Sequence, residues 1–312
     1  MKKLAVPILI VCLTVGMAVP LIFHLAYFYF AAYVILQYII LSTAWNILGG
    51  YTGYVNFGVG AFFALGAYTA AMLILNLKTS LPVALIFGGF VSAILGMGIG
   101  CLTLRLRGVF FAIATLALAV VLETVIVSTP ALGGARGLYV HRPKPVAPFS
   151  TYPEFLYLLM VLLALLTIFI ARYIERSWIG RGLTAIRDNE EAAECLGVPV
   201  FKLKLLAATI SGFFMGVAGA PFPYYITYLE PRSTMGMDVT VNSLAMALIG
   251  GTTTWSGPVI GALLLGTLQQ AVTVTVSSVF NLLIVGLLLV GFVILAPDGI
   301  VGLIRRYRKK IL

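Results

Sequence analysis

Gly108-Val109-Phe110-Phe111-Ala112-Ile113-Ala114-Thr115-Leu116-Ala117-Leu118-Ala119-Val120-Val121-Leu122-Glu123-Thr124-Val125-Ile126-Val127-Ser128-Thr129 is a run of 22 residues carrying one charge, Glu123. About 20 apolar residues in a helix cross the hydrocarbon core of a bilayer. The run is continuous and does not alternate, so it does not read as a strand of a membrane barrel. It has company on both sides. Residues 4–77 contain no Lys, Arg, Asp or Glu, and neither do residues 239–297. Across all 312 residues, 61% are hydrophobic and only 10% charged, with a mean hydropathy of +1.09. A soluble domain carries roughly 25% charged residues. Too few polar side chains exist here to cover a water-facing surface, which excludes a soluble fold, a disordered chain and a nucleic-acid-binding reading of the +10 net charge. The expected fold is all-α, a polytopic transmembrane helical bundle forming a single domain over 1–312.

Charged and Gly/Pro-rich punctuation divides the chain into about ten spans, near 4–22, 26–48, 55–77, 81–104, 108–129, 154–172, 204–226, 239–254, 257–277 and 281–303. The eighth is short and reads as a re-entrant or broken helix. The start, Met1-Lys2-Lys3 before an apolar run, reads as a first span, since no clean small-x-small cleavage site precedes the next run. With both termini placed in the cytoplasm, 15 of the 20 basic residues fall inside: Lys2, Lys3, Arg105, Arg107, six between 172 and 204, and five after 304. Lys78, Arg136, Arg142, Lys144 and Arg232 stay outside. This asymmetry is the positive-inside pattern, and the inner charges also meet anionic membrane lipid. Segment 130–153, stiffened by five prolines, is either a connector or a surface for an extracytoplasmic partner. Cys12, Cys101 and Cys195 are far apart and form no CxxC, so they suggest neither disulfide nor zinc site.

Residues 172–204 are the long hydrophilic stretch expected on the cytoplasmic side, with six basic and five acidic side chains. Within it, Asp188 is expected to N-cap a short helix with Glu190, Glu191 and Glu194 in its first turns. Gly197 and Pro199 stop that helix, and Ala192, Ala193 and Leu196 give it a small apolar patch able to seat in a partner's groove. Read without a family, the stretch is equally a solvated connector.

Glu191-Ala192-Ala193, three residues, then Gly197 matches the Glu-Ala-Ala-x-x-x-Gly signature of ABC-importer permeases. The wider pattern resembles the branched-chain amino-acid permeases, M-type branch. The resemblance is carried by Asn46 to Gly53, Gly66 to Ala70, Arg105 to Gly108 running into Ala112 to Ala117, Gly133 to Leu138, Arg181 to Gly197, Gly250-Gly251-Thr252 with Trp255, Gly257 and Pro258, and Ala296 to Ile300. It covers roughly residues 35–303. Tyr54-Val55-Asn56 stands where the family often carries a polar pair. The resemblance implies a membrane permease subunit that translocates leucine, isoleucine or valine. It further implies a homologous permease subunit, two ABC ATPase subunits and an extracytoplasmic substrate-binding protein as partners. In such an assembly the loop is a coupling helix, and Arg181, Ala185, Asp188, Glu190, Glu191, Ala192, Ala193, Leu196 and Gly197 are its expected contacts with the ATPase. Similar permeases carry urea, short amides or other amino acids.

No Gly-x-x-x-x-Gly-Lys-Ser/Thr motif occurs, so ATP is expected on other subunits and no cofactor on this chain, which is not expected to be an enzyme. Glu123 is costly to bury, so it should face the bundle, pair or be protonated, and it either lines the pathway or locks a helix pair. Asn46, Asn56, Thr115 and Asn242 are polar groups at membrane depth that either line a pathway or hydrogen-bond between helices. Gly49-Gly50 and Gly250-Gly251 sit in two weakly similar stretches, Leu48–Tyr54 and Ile249–Trp255, where a Gly-rich break lets non-helical backbone line a pathway. An ion-coupled carrier and a passive channel are the competing classes.

Overall fold

The computed structural model describes residues 26–143, 151–275, 286–291 and 299–303. The long helices are α1 (Ala26–Thr52), α2 (Val59–Leu77), α3 (Leu81–Thr103), α4 (Val109–Ser128), α5 (Tyr152–Arg176), α8 (Val200–Gly219) and α12 (Ser256–Thr275). Between α5 and α8 lie α6 (Trp178–Asp188) and α7 (Glu190–Cys195). After α8 come α9 (Phe222–Ile226), α10 (Pro231–Thr234) and α11 (Met237–Gly250). Two-residue strands β1 (Leu138–Tyr139) and β2 (Tyr228–Leu229) pair antiparallel, Leu138 opposite Leu229. Seven helices among the described residues are long and apolar enough to cross a membrane. The spans expected at 26–48, 55–77, 81–104, 108–129, 154–172, 204–226 and 257–277 each coincide with one of them. The expected spans 4–22 and 281–303 lie outside the described residues, the second except for helical residues 286–291 and 299–303.

The eighth expected span is the 14-residue α11, about 21 Å long at 1.5 Å per residue and too short for a core of about 30 Å. Its partners fix its depth. Thr240 lies beside Gly60, Asn242 beside Tyr38 in mid-α1, and Thr254, just beyond its end, beside Asn46. It therefore runs from mid-membrane to one end.

Membrane helices cannot be driven together by hydrophobicity against lipid, so close contact must come from small residues. α3 lies along α8, and α2 lies against both. A methyl group at Gly66 would run into the Gly216 carbonyl, and one at Gly219 into the Phe63 carbonyl. At Gly88 it would stand 2.9 Å from the Gly66 carbonyl oxygen. Three backbones thus meet along one seam. α4 is the opposite case. Only Phe111, Thr115 and Ile126 are buried along it, and Val109, Phe110, Ile113, Val120, Val121 and Val125 are exposed.

The two ends of the bundle differ. At one end the 49–54 turn, residues 104–107, α6, α7 and Trp255 meet, joined by Arg187 to the Gly50 carbonyl (3.3 Å), Arg107 to Glu191 (2.8 Å) and the Trp255 amide to Glu175 (2.6 Å). At the other end Arg142 donates to the Tyr224 carbonyl (2.7 Å) and the Tyr225 carbonyl, and the Tyr228 hydroxyl donates to the Arg136 carbonyl (2.8 Å). These are the two groups of segments that charge asymmetry separates in the sequence.

Candidate functional site

α6 is strongly amphipathic and buries Gly180, Leu183 and Ile186 against the bundle. Arg181 is exposed and Ala185 partly buried. The polar loop therefore holds two helices where one was expected. Asp188 is not the cap of the second: it is the last residue of α6, and Asn189 takes the cap position, its side-chain oxygen accepting from the Ala192 amide at 3.0 Å. The chain must bend sharply between the helices, and Asn189 adopts the extended backbone that a capping residue needs (φ −162°, ψ 109°). Glu190 and Glu191 occupy the first turn, where the helix dipole favours them.

α7 ends as the Gly-Pro signal predicts. Gly197 has φ +82°, its amide donates to the Glu194 carbonyl, and the Val198 amide reaches back to the Ala193 carbonyl. This is the Schellman arrangement. The expected apolar patch divides. Ala193 is buried in its own chain, because α7 must rest on something, while Ala192 faces out and Leu196 is 84% exposed. The knob on the surface is Leu196 with Ala192, flanked by open space at Gly197.

Beneath α7 lies a cluster that sequence reasoning did not single out. Lys204, in the second turn of α8, is 2% exposed. Its ammonium donates to the Tyr54 hydroxyl (2.9 Å), the Leu104 carbonyl (3.1 Å) and Glu190 Oε1 (2.9 Å), which uses all three of its donors. Leu104 caps α3, so the cation also satisfies an orphan carbonyl at the negative end of that helix. The Tyr54 hydroxyl in turn donates to Glu190 Oε2 at 2.6 Å. Arg107 approaches Glu190 at 3.7 Å from the solvent side. Burial pushes the Glu190 carboxyl up, but the hydrogen bonds from Tyr54 and Lys204 and the charges of Lys204 and Arg107 outweigh it and hold it below its ordinary value. Burial, and then Glu190, hold the Tyr54 phenol well above its ordinary value.

Tyr54 is the second residue of an irregular stretch, 53–58, that climbs back into the bundle. Trp45 donates its indole N–H to the Asn56 carbonyl at 2.9 Å, so Asn56 sits level with a residue seven positions, about 10 Å, up α1 from Thr52. Free amides at that depth need partners. Asn56 Oδ1 takes the Gly58 amide (2.8 Å), Thr115 Oγ1 the Phe57 amide (3.1 Å) and Thr240 Oγ1 the Gly60 amide (3.0 Å). A narrow crevice opens here between α1, α2, α3, α4 and α8, lined in part by Asn56, Phe62, Thr103, Phe111 and Thr115.

The other expected pathway residues gather elsewhere. Asn46 donates to the Thr254 carbonyl at 3.4 Å. Gly50 lies against the Thr252 carbonyl, and Gly250 against the Gly257 carbonyl, closer than any side chain permits. Gly251 has φ +108°, and Gly49 lies under the Trp45 ring. The two glycine-rich breaks therefore meet and pack where α1 crosses the junction of α11 and α12. Asn242 bridges Tyr38 (3.3 Å) and Gln269 (3.0 Å). Glu123 is half-buried on the thinly covered α4 and has no hydrogen bond or ion pair among the described residues.

The family profile described as the permease component of the branched-chain amino acid transport system matches residues 27–293. The chain belongs to this family. The high-affinity branched-chain amino acid transport system permease proteins LivM of Salmonella typhimurium and Escherichia coli are each 31% identical over 299 residues, covering 86% of this chain and 68% of theirs. The probable branched-chain amino acid transport permease protein LivH of Methanocaldococcus jannaschii is 25% identical over 278 residues, covering 84% of this chain and 87% of its own. No solved structure matches. With seven apolar helices of spanning length among the described residues, this permease is a multi-pass inner-membrane protein.

Proposed function

We propose that this chain is one permease subunit of an ATP-driven importer of leucine, isoleucine and valine. A homologous permease completes the pathway, two ABC ATPases supply ATP and Mg, and an extracytoplasmic binding protein supplies selectivity. The chain itself holds no cofactor and catalyses no reaction. The single observation that carries the reading is α7. It is a short, well-capped helix standing proud of one end of a membrane bundle, with Leu196 projecting outward and the Glu191-Ala192-Ala193 to Gly197 signature along it. The exposed Leu196, with Ala192 beside it, falls within the Glu191-Ala192-Ala193 to Gly197 signature, and this coincidence of surface knob and signature supports docking over a plain connector. In this reading α7 sits in a cleft of the ATPase, the end bearing α7 is cytoplasmic, and closure of the ATPase pair switches the bundle between outward and inward access. Kinship with LivM supports branched-chain amino acids as cargo.

The test is reconstitution in proteoliposomes with the partner permease, ATPases and binding protein. Leucine uptake should require ATP, and Leu196→Asp should lower it by tenfold or more, about 1.4 kcal/mol of lost docking. Uptake that proceeds without ATPase or ATP contradicts the reading. Uptake abolished by collapsing an ion gradient assigns the chain to the ion-coupled carriers instead.

A further inference from the structure

A docking helix can drive a gate only through something stiff between them. Leu196 stands free on α7, while the crevice lies below the 53–58 stretch. We propose that Tyr54, Glu190 and Lys204 are that connection: positioning residues that carry displacement of α7 to the 53–58 stretch and so to the crevice. The inference rests on the role of α7 proposed above.

The geometry is that of a closed triangle. Glu190 is the first residue of α7, Tyr54 belongs to the 53–58 stretch, and Lys204 belongs to α8, the helix most extensively packed in the bundle through the α3 seam. Each member bonds to the other two, at 2.6, 2.9 and 2.9 Å. Charge-assisted bonds of this length resist shear better than neutral ones. The fourth contact, Lys204 to the Leu104 carbonyl, ties the triangle to α3.

From Tyr54 the link runs two ways. Its ring meets that of Phe111 edge-on at 5.1 Å, and Phe111 lines the crevice from α4. Along the backbone, two residues on, Asn56 holds the amide of Gly58, the residue that precedes α2, and lines the same crevice. A tilt of α7 that moves Glu190 must therefore either move Tyr54 or break a bond of a buried charge. Breaking it leaves the Lys204 ammonium short of a partner in a nearly dry site, so moving together is the cheaper course. Exposed pairs such as Arg107 with Glu191 cannot serve the same purpose, since water replaces them at little cost.

The test uses the complete reconstituted importer, with uptake and ATP hydrolysis measured in the same vesicles. Tyr54→Phe keeps the ring and removes only the hydroxyl. It should raise ATP hydrolysed per leucine carried about five- to tenfold, at the lower end of typical coupling between sites, while the ATPase still co-purifies. Glu190→Gln should do the same, and the Tyr54→Phe/Glu190→Gln double variant should be no worse than the poorer single one, because both cut one link. A structural defect alone lowers uptake and hydrolysis together and leaves the ratio unchanged. An unchanged ratio in Tyr54→Phe, or single effects that multiply in the double variant, overturns the link. If the wild-type complex shows no ATP-dependent uptake, the role of α7 fails and the link fails with it.

Discussion

At the residue scale, the chemistry concentrates on Glu190, both of whose oxygens are engaged. Its carboxyl is held below the ordinary value of 4.5 in the folded protein. A depressed folded value means that the carboxylate's stabilisation is fully present above 4.5 and is lost as pH falls through the lower folded value. In detergent, wild type should therefore exceed Glu190→Gln in thermal stability at neutral pH by about 1 kcal/mol, reduced by the partial exposure of the group. The gap should close as the solution is acidified past 4.5. A gap that persists or widens in acid would show that the charge is not what the site uses. Lys204 was legible in the sequence only as one more basic residue on the inner side. What distinguishes it is that it lies within the second turn of an apolar helix, between Leu203 and Leu205, where a lysine must find partners or snorkel. Tyr54 stood out only as a departure from the family pattern, and its partner is 136 positions away, beyond any local signal.

At the level of elements, the long helices were legible because a membrane span needs only length and hydropathy, and most edges were marked by charge, Gly or Pro. Their packing was not legible, because glycine is common here and the sequence does not say which glycines touch. Gly66, Gly216 and Gly219 face other backbones, while Gly98 in α3 has nothing within 4 Å. Gly219→Leu should destabilise the bundle by about 1–3 kcal/mol or more, by overpacking. Gly98→Ala should be neutral or stabilise by up to about 1 kcal/mol, from helix propensity alone. Unfolding of the purified protein by SDS compares the two, and equal effects would remove the α2, α3 and α8 seam from the account. The α6–α7 pair shows a different limit. Asp188 and Asn189 are both good caps, and composition cannot choose between neighbours. The choice falls to burial of Leu183 and Ile186, which extends α6 through Asp188 and leaves the cap to Asn189.

For the whole molecule, the division into two ends follows from side-chain contacts, independently of how many basic residues each end carries. Arg187 on Gly50, Arg107 on Glu191 and Glu175 on Trp255 gather one set of turns, and the β1–β2 pair with Arg142 gathers the other. Charge asymmetry separates the same segments from sequence alone, because the translocation machinery reads basic residues and the fold must respect the outcome. Contacts fix which segments share an end. Only the charges say which end is cytoplasmic, and that assignment, along with cytoplasmic termini and about ten spans, is open to direct measurement. Cys195 is exposed at the end of α7, and Tyr139 is exposed on β1. A single crossing, α5, separates them. In a background with Cys12 and Cys101 replaced by Ala, an impermeant maleimide should leave Cys195 unlabelled in spheroplasts and label it in inverted vesicles stripped of ATPase. Tyr139→Cys in a chain lacking Cys195 should behave in the reverse way. Reversal of both results turns the orientation over and takes α7 out of reach of a cytoplasmic ATPase, so the charge argument and the proposed docking fall together, while the two-ended fold stands on its contacts. Labelling of both positions from one side would mean that α5 does not cross, which breaks the fold itself.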